Sequence, residues 1–141
     1  MGTGIPKPAE IQGQIEQMQS QKGEIEENKN RIKGALSELR SRRGEVEGNL
    51  AEMENKMQME LPPEFRAQLA DRITMLKNAR KQIESQIEDL ENKLAMLTSA
   101  KENLNTAISA RKNILQQIAG AIAQQMQIAH LQNRELGRVS G

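Results

Sequence analysis

A heptad repeat of apolar residues from Leu69 to Ile122 restricts this chain more than any other feature. Position a is held by Ile73, Ile87, Leu94, Ile108, Leu115 and Ile122. Position d is held by Leu69, Leu76, Ile83, Leu90, Leu97, Leu104 and Ile118. The pattern is broken only by Arg80, Lys101 and Arg111. Apolar residues that hold a and d through many uninterrupted heptads predict a coiled-coil helix.

A second heptad repeat precedes it, between Ile11 and Met57. Its d positions are Ile11, Met18, Ile25, Ile32, Leu39, Val46 and Met53, and its a positions are Ile15, Lys22, Lys29, Leu36, Arg43, Leu50 and Met57. A basic residue at a weakens the seam but penalises registers in which the charge cannot reach water. This repeat predicts a first coiled-coil helix.

The two repeats are separated by Pro62 and Pro63. Two consecutive prolines remove backbone donors and keep the preceding residue out of helical geometry, so we expect the first helix to end before them. If the repeats pair antiparallel, a against d, Leu36 faces Leu90 and the turn centres on Pro63. The sequence therefore predicts a long antiparallel helical hairpin.

Composition agrees with a rod rather than a globular core. The only aromatic residue is Phe65, and 28% of residues are charged. A thin seam of Ile, Leu and Met needs no large aromatic side chains. The net charge of +1 gives no electrostatic reason to bind nucleic acid, and the chain has no cysteine for disulfides or thiolate metal sites.

The composition of the second helix changes near its C-terminal end. Residues 113–133 contain no Asp, Glu, Lys or Arg but six glutamines. The apolar stripe also spreads to the flanking positions, with Ile114, Ala121 and Ile128 at g and Met126 at e. A helix that is apolar over so wide a face is normally surrounded by other helices. We predict that it oligomerises or docks through Ile114, Leu115, Ile118, Ala121, Ile122, Gln125, Met126, Ile128, Ala129 and Leu131.

Three partners are compatible with this segment. The first is a parallel bundle of the same helix from several copies, with Gln125 and Gln132 as polar layers. The second is a groove on a different protein, as in helix-in-groove recognition. The third is a membrane or a glutamine-lined pore, which the glutamines and His130 make costly. We expect the chain itself, as a trimer or higher oligomer, to be the partner, together with another protein of the same assembly.

The predicted organisation is all-α, with an overhanging C-terminal helix. It comprises an N-terminal arm (1–9), helix 1 (10–60), the proline turn (61–65), helix 2 (66–115), an uncharged extension (116–136) and a tail (137–141) that begins at a stop signal, Gly137. Glycines 13, 23, 34, 44, 48 and 120 fall at b or f. They lie on the face away from the seam, either as a tolerant surface or as a smooth face for a neighbouring helix.

The sequence offers no chemistry for catalysis. It has one His and no Cys or Tyr, lacks a phosphate-binding loop, and shows no metal-ligand spacing, so we expect no enzyme, cofactor or metal. Without a signal peptide or transmembrane segment, we expect a cytoplasmic location or one within an assembled particle. The predicted function is a structural spacer, fibre or connector in a symmetric complex, such as a virion or a secretion-type assembly. The alternatives are a coiled-coil adaptor or chaperone, and a membrane-active helix on a stalk.

Overall fold

The protein is described by a computed structural model that covers residues 7–140, with side-chain surroundings for residues 7–137. It has two helices, α1 (Pro8–Met57) and α2 (Pro63–Ser140), and no strand within the described residues. The all-α prediction is confirmed, and two long helices joined by a short turn fit a helical hairpin. Of the predicted N-terminal arm, residues 1–6 lie outside the described part of the chain.

Helix α1 begins two residues earlier than the sequence predicts. Pro8 occupies its first position, where the missing N–H is not needed and the fixed φ suits a helix. The carbonyl of Lys7 accepts hydrogen bonds from the backbone N–H of Glu10 (2.9 Å) and Ile11 (3.2 Å). Residues 8 and 9 of the predicted arm are therefore helical.

The turn lies about three residues earlier than predicted, because α1 ends at Met57 and α2 begins at Pro63. The last turn of α1 tightens, with the N–H of Gln58 bonded to the Asn55 carbonyl at 3.2 Å. Pro62 lies in the connection, and its carbonyl accepts the N–H of Arg66 at 3.0 Å. The prolines thus shape the turn as predicted, but the connection is residues 58–62 and not 61–65, since Pro63 can serve as the first helical residue.

At its other end, α2 does not stop at Gly137. The helix continues to Ser140, and Gly137 has no positive φ. Glycine in a helix costs only about 1 kcal/mol relative to alanine, and no proline follows to block helical geometry. The prediction of a non-helical tail from residue 137 is therefore wrong for residues 137–140.

The chain divides into two compact units, which we call the turn unit (Ile25–Ser99) and the terminal unit (Met1–Glu24 with Ala100–Gly141). In the turn unit, Arg40 pairs with Glu91 (Nη2–Oε1, 3.0 Å), and Glu54 pairs with Lys77 (Oε1–Nζ, 3.9 Å). Going forward along α1 between these pairs means going backward along α2. The helices of this unit are therefore antiparallel, and Leu36, Leu50 and Ile87 are buried in it.

The terminal unit is held by a small apolar cluster. Ile11 and Ile15 from α1 and Ile108 from α2 are buried together. Met18, Leu115 and Ile118 are half-buried against this cluster. Beside it, Arg111 donates from Nε to the side-chain oxygen of Gln14 at 2.9 Å and from Nη1 to the Ala107 carbonyl at 3.3 Å. Arg111, which interrupts the apolar stripe, thus has hydrogen-bond acceptors on both helices.

Burial follows the heptad positions closely. Every a and d residue of α1 from Ile11 to Met57 is buried or half-buried, including the basic ones. The same holds for α2 from Leu69 to Ile118. Nearly all other described side chains are exposed, so burial is concentrated at the a and d positions.

Candidate association face

The exposure of the side chains of α2 changes beyond Ile118. Every residue from 119 to 137 is exposed, although the helix continues without a break. The change is clear for two isoleucines at the same heptad position of the same helix. Ile108 is 6% exposed, whereas Ile122 is 48% exposed. The sequence pattern that is buried in one part of the helix is therefore presented to solvent in the next.

The predicted association residues divide into two groups. Leu115 and Ile118 are half-buried against the apolar cluster of the terminal unit. The other eight are exposed: Ile114, Ala121, Ile122, Gln125, Met126, Ile128, Ala129 and Leu131. We call these eight the association face. Ile118 is the last half-buried residue among those described, and it lies one helical turn beyond Leu115, the end of helix 2 in the sequence prediction.

The association face spans positions on both sides of the heptad seam. Ile122 and Ala129 hold a and Gln125 holds d, while Ile128 lies on the g flank and Met126 on the e flank. On a helix, residues three, four and seven apart share one side, so these residues form one broad stripe. The face is therefore wider than the seam that two helices of this chain use between themselves.

Leu131 lies at the edge of this stripe. Together with Ile128, Gln132, Glu135 and Leu136, it lines a shallow, mostly apolar depression on the surface of α2. Leu136 is exposed and was not among the predicted residues. It lies seven residues after Ala129, at the next a position. Extending the heptad by one cycle would therefore have predicted it.

The chemistry of the face is apolar with carboxamides and no charge. No Asp, Glu, Lys or Arg occurs between residues 113 and 133. Gln125 and Gln132 occupy successive d positions, in the middle of the stripe. His130, at position b, is exposed. The face can bury apolar surface and form side-chain hydrogen bonds, but it cannot form ion pairs over this length.

A second exposed apolar patch lies at the turn. Met59, Leu61, Phe65 and Leu69 line a depression there, with Lys56, Gln68 and Arg72 around it. Arg66 donates from Nη2 to the Met59 carbonyl at 3.1 Å and so ties the connection to the first turn of α2. This contact of Arg66 could not be predicted from the sequence, because an arginine on an exposed helix face has many possible partners. The patch is smaller than the association face and lies close to several charged groups.

Two kinds of site are not found among the described residues. No group of three His, Cys, Asp or Glu side chains among them is placed to hold a metal ion. Within the same part of the chain, neither helix has a stretch long and apolar enough to cross a membrane.

No family model, curated protein or solved structure matches this chain. Its function is accordingly inferred from the chemistry of the association face.

Proposed function

We propose that this chain is a non-enzymatic assembly protein whose α2 helix binds further copies of itself through the association face. In this proposal, α1 and α2 form an antiparallel coiled coil up to Ile118. The rest of α2 is an overhang that associates with the same segment of other copies, in a trimer or higher oligomer. The protein then serves as a spacer, fibre or connector in a symmetric complex.

The observation that carries the proposal is the exposed, uncharged stretch of α2. Scattered exposed apolar residues are ordinary, but a continuous apolar stripe on a helix indicates a surface that another molecule covers. The a and d residues that precede it in the same heptad are buried or half-buried as far as Ile118. The stripe from Ile122 onward continues the same heptad, so we expect another helix to cover it.

The burial available is large enough for association. Burying a whole Ile, Leu or Met side chain is worth about 1.5–3 kcal/mol. The exposed fraction ranges from 41% to 68% across Ile114, Ile122, Met126, Ile128, Leu131 and Leu136. These six side chains therefore supply about 5–10 kcal/mol per copy. The cost of lost freedom on association is about 4–15 kcal/mol. The two values are of the same size, and the full gain is reached only when enough copies meet to cover the flanking e and g positions as well as the seam.

The width of the stripe favours more than two copies. In a two-helix seam only a and d are covered, and the flanks stay in water. Here Ile128 at g and Met126 at e are apolar flank residues on opposite sides. A third or fourth helix is needed to cover both flanks. The width therefore supports a trimer or higher oligomer.

Substitution by aspartate tests the proposal. Ile122→Asp with Met126→Asp places two carboxylates on the face, where burial of an unpaired charge costs several kcal/mol (~3–5). The control is Gly120→Asp, because Gly120 is exposed at f and an added Cβ there meets nothing within 4 Å. We expect the double variant to lower the solution mass to that of one chain while keeping its helicity, and the control to keep the wild-type mass.

The alternative partners give different results in the same experiment. If the face docks into a groove of another protein, the wild-type chain is itself a monomer or dimer, and the double variant does not change its mass. If the face inserts into membranes, the wild-type chain binds liposomes and the double variant does not. Either result rejects self-association as the role of this face.

A further inference from the structure

We infer that the copies meet in parallel and in register, with Gln125 against Gln125 and Gln132 against Gln132. This inference rests on the proposed function and adds the orientation of the partner. The occupant of the association face is thus another copy of the same segment of α2, pointing the same way.

The lack of charge in this segment favours an identical copy as its partner. Two copies of a segment with many like charges repel each other, and a partner of opposite charge would gain ion pairs. Residues 113–133 contain no Asp, Glu, Lys or Arg, so they neither repel an identical copy nor gain ion pairs with a charged partner. An apolar stripe with carboxamides at its centre is matched by a surface of the same kind, and this chain supplies one in every copy.

The carboxamides then decide the orientation. A glutamine side chain has both N–H donors and a carbonyl acceptor, so two identical glutamines at one layer can satisfy each other. In a parallel, in-register arrangement each d residue meets the same d residue of its neighbours. Gln125 and Gln132 then form two polar layers in which donors and acceptors are paired.

The antiparallel arrangements lack this pairing. When helices run in opposite directions, d positions of one face a positions of the other, and the a positions here are Leu115, Ile122, Ala129 and Leu136. Every such register places each glutamine against an apolar side chain. A buried polar group without a partner costs about 1–3 kcal/mol, and each copy carries two such glutamines. The parallel arrangement is therefore favoured.

The spacing of the two glutamines also fixes the register. They are one heptad apart, so a shift of seven residues pairs Gln132 of one copy with Gln125 of another. That shift leaves the remaining glutamine of each copy facing an apolar residue and removes one heptad of apolar contact. Only the unshifted register pairs both layers. A polar residue in a helical seam is known to specify register in this way at some cost in stability.

Cysteine crosslinking tests the orientation, and the chain has no cysteine of its own. In the parallel register, copies of Ala129→Cys lie side by side, and so do copies of Leu136→Cys. We expect each single variant to form disulfide dimers under mild oxidation about 100-fold faster than Gly120→Cys, because held groups have effective concentrations of about millimolar, well above micromolar protein. Gly120→Cys, at f, is the control for random collision.

An antiparallel bundle gives the opposite pattern. Leu136→Cys then crosslinks poorly by itself but readily when mixed with Ile118→Cys, since the helix ends alternate. An oligomer with that pattern overturns the inferred orientation and leaves the proposed function standing. A wild-type chain with the mass of one chain overturns both. The two failures are distinguished by measuring the mass before the crosslinking.

A second variant tests the role of the glutamines directly. Gln125→Leu with Gln132→Leu removes both polar layers and replaces them with apolar ones. We expect tighter association together with loss of the single orientation, seen as crosslinks between Leu136→Cys and Ile118→Cys chains that both carry the leucines. Retention of the wild-type crosslinking pattern in this background would mean that the glutamines do not set the orientation.

Discussion

Two exposed methionines of α2 allow the association face to be tested by one matched pair of substitutions. Met96 is 72% exposed and Met126 is 68% exposed in the single chain. Met96→Ala and Met126→Ala therefore remove the same atoms from equally exposed positions of the same helix. Met126 belongs to the association face, whereas Met96 lies in the turn unit, beside a depression lined by residues of both helices.

The expected magnitude follows from these exposures. Full burial of a methionine side chain is worth about 1.5–3 kcal/mol, so covering the exposed two thirds of Met126 is worth about 1–2 kcal/mol per copy. This corresponds to roughly a 5–30-fold weakening of association for each copy that carries Met126→Ala. Met96→Ala removes no contact of the proposed bundle, and its effect should stay within about 0.5 kcal/mol.

The assay is light scattering across a dilution series, with helicity followed by circular dichroism at each concentration. We expect Met126→Ala to dissociate at a higher concentration than the wild-type chain, and Met96→Ala to follow the wild type. Equal shifts for both variants would show that general loss of apolar surface, and not this face, controls association. If Met126→Ala dissociates at the same concentration as the wild-type chain, the e flank is not part of the interface.

Three further predictions concern the two helices themselves. Ile15→Ala should lower the free energy of unfolding by about 2–5 kcal/mol in urea titrations, because Ile15 is only 2% exposed within the terminal cluster; a loss below about 1 kcal/mol would mean that the cluster contributes little. Gly34→Ala should raise the free energy of unfolding by about 1 kcal/mol, since an added Cβ meets nothing within 4 Å; a fall in solution mass would instead indicate that a neighbouring helix contacts this glycine face. Leu36→Cys with Leu90→Cys should form a disulfide within one chain, and crosslinks found only between chains, seen on denaturing gels, would indicate that the helices pair with those of another copy.

Much of the fold could be predicted from the sequence because heptad spacing places the apolar residues on one face of a helix, and that face becomes buried. The a and d residues from Ile11 to Met57 and from Leu69 to Ile118 are the ones that the structure buries or half-buries. The all-α fold and the effect of Pro62 and Pro63 follow from equally local physics, namely helical periodicity and the missing proline donor.

The remaining details depend on choices that a local pattern leaves open. Pro63 can either precede a helix or begin one, and the structure uses it to begin α2. Gly137 can end a helix or continue it at modest cost, and it continues. The contacts of Arg66 with the Met59 carbonyl and of Arg40 with Glu91 join residues on exposed faces, where several partners lie within reach of a long side chain.

The residues of the association face are predicted more directly than their partner. Heptad position and lack of charge identify Ile122, Gln125 and Met126 as seam or flank residues. The structure leaves them exposed in a single chain. The choice of partner depends on the free energy of association, which is not a local property of the sequence pattern.

The mass of the purified chain in solution tests the proposed assembly most directly. One chain has a mass of 15.8 kDa. Light scattering of the chain alone should give a defined mass of at least three times this value, and the Ile122→Asp, Met126→Asp variant should give the mass of one helical chain. A wild-type mass of one chain across the accessible concentrations would contradict self-association through the C-terminal part of α2.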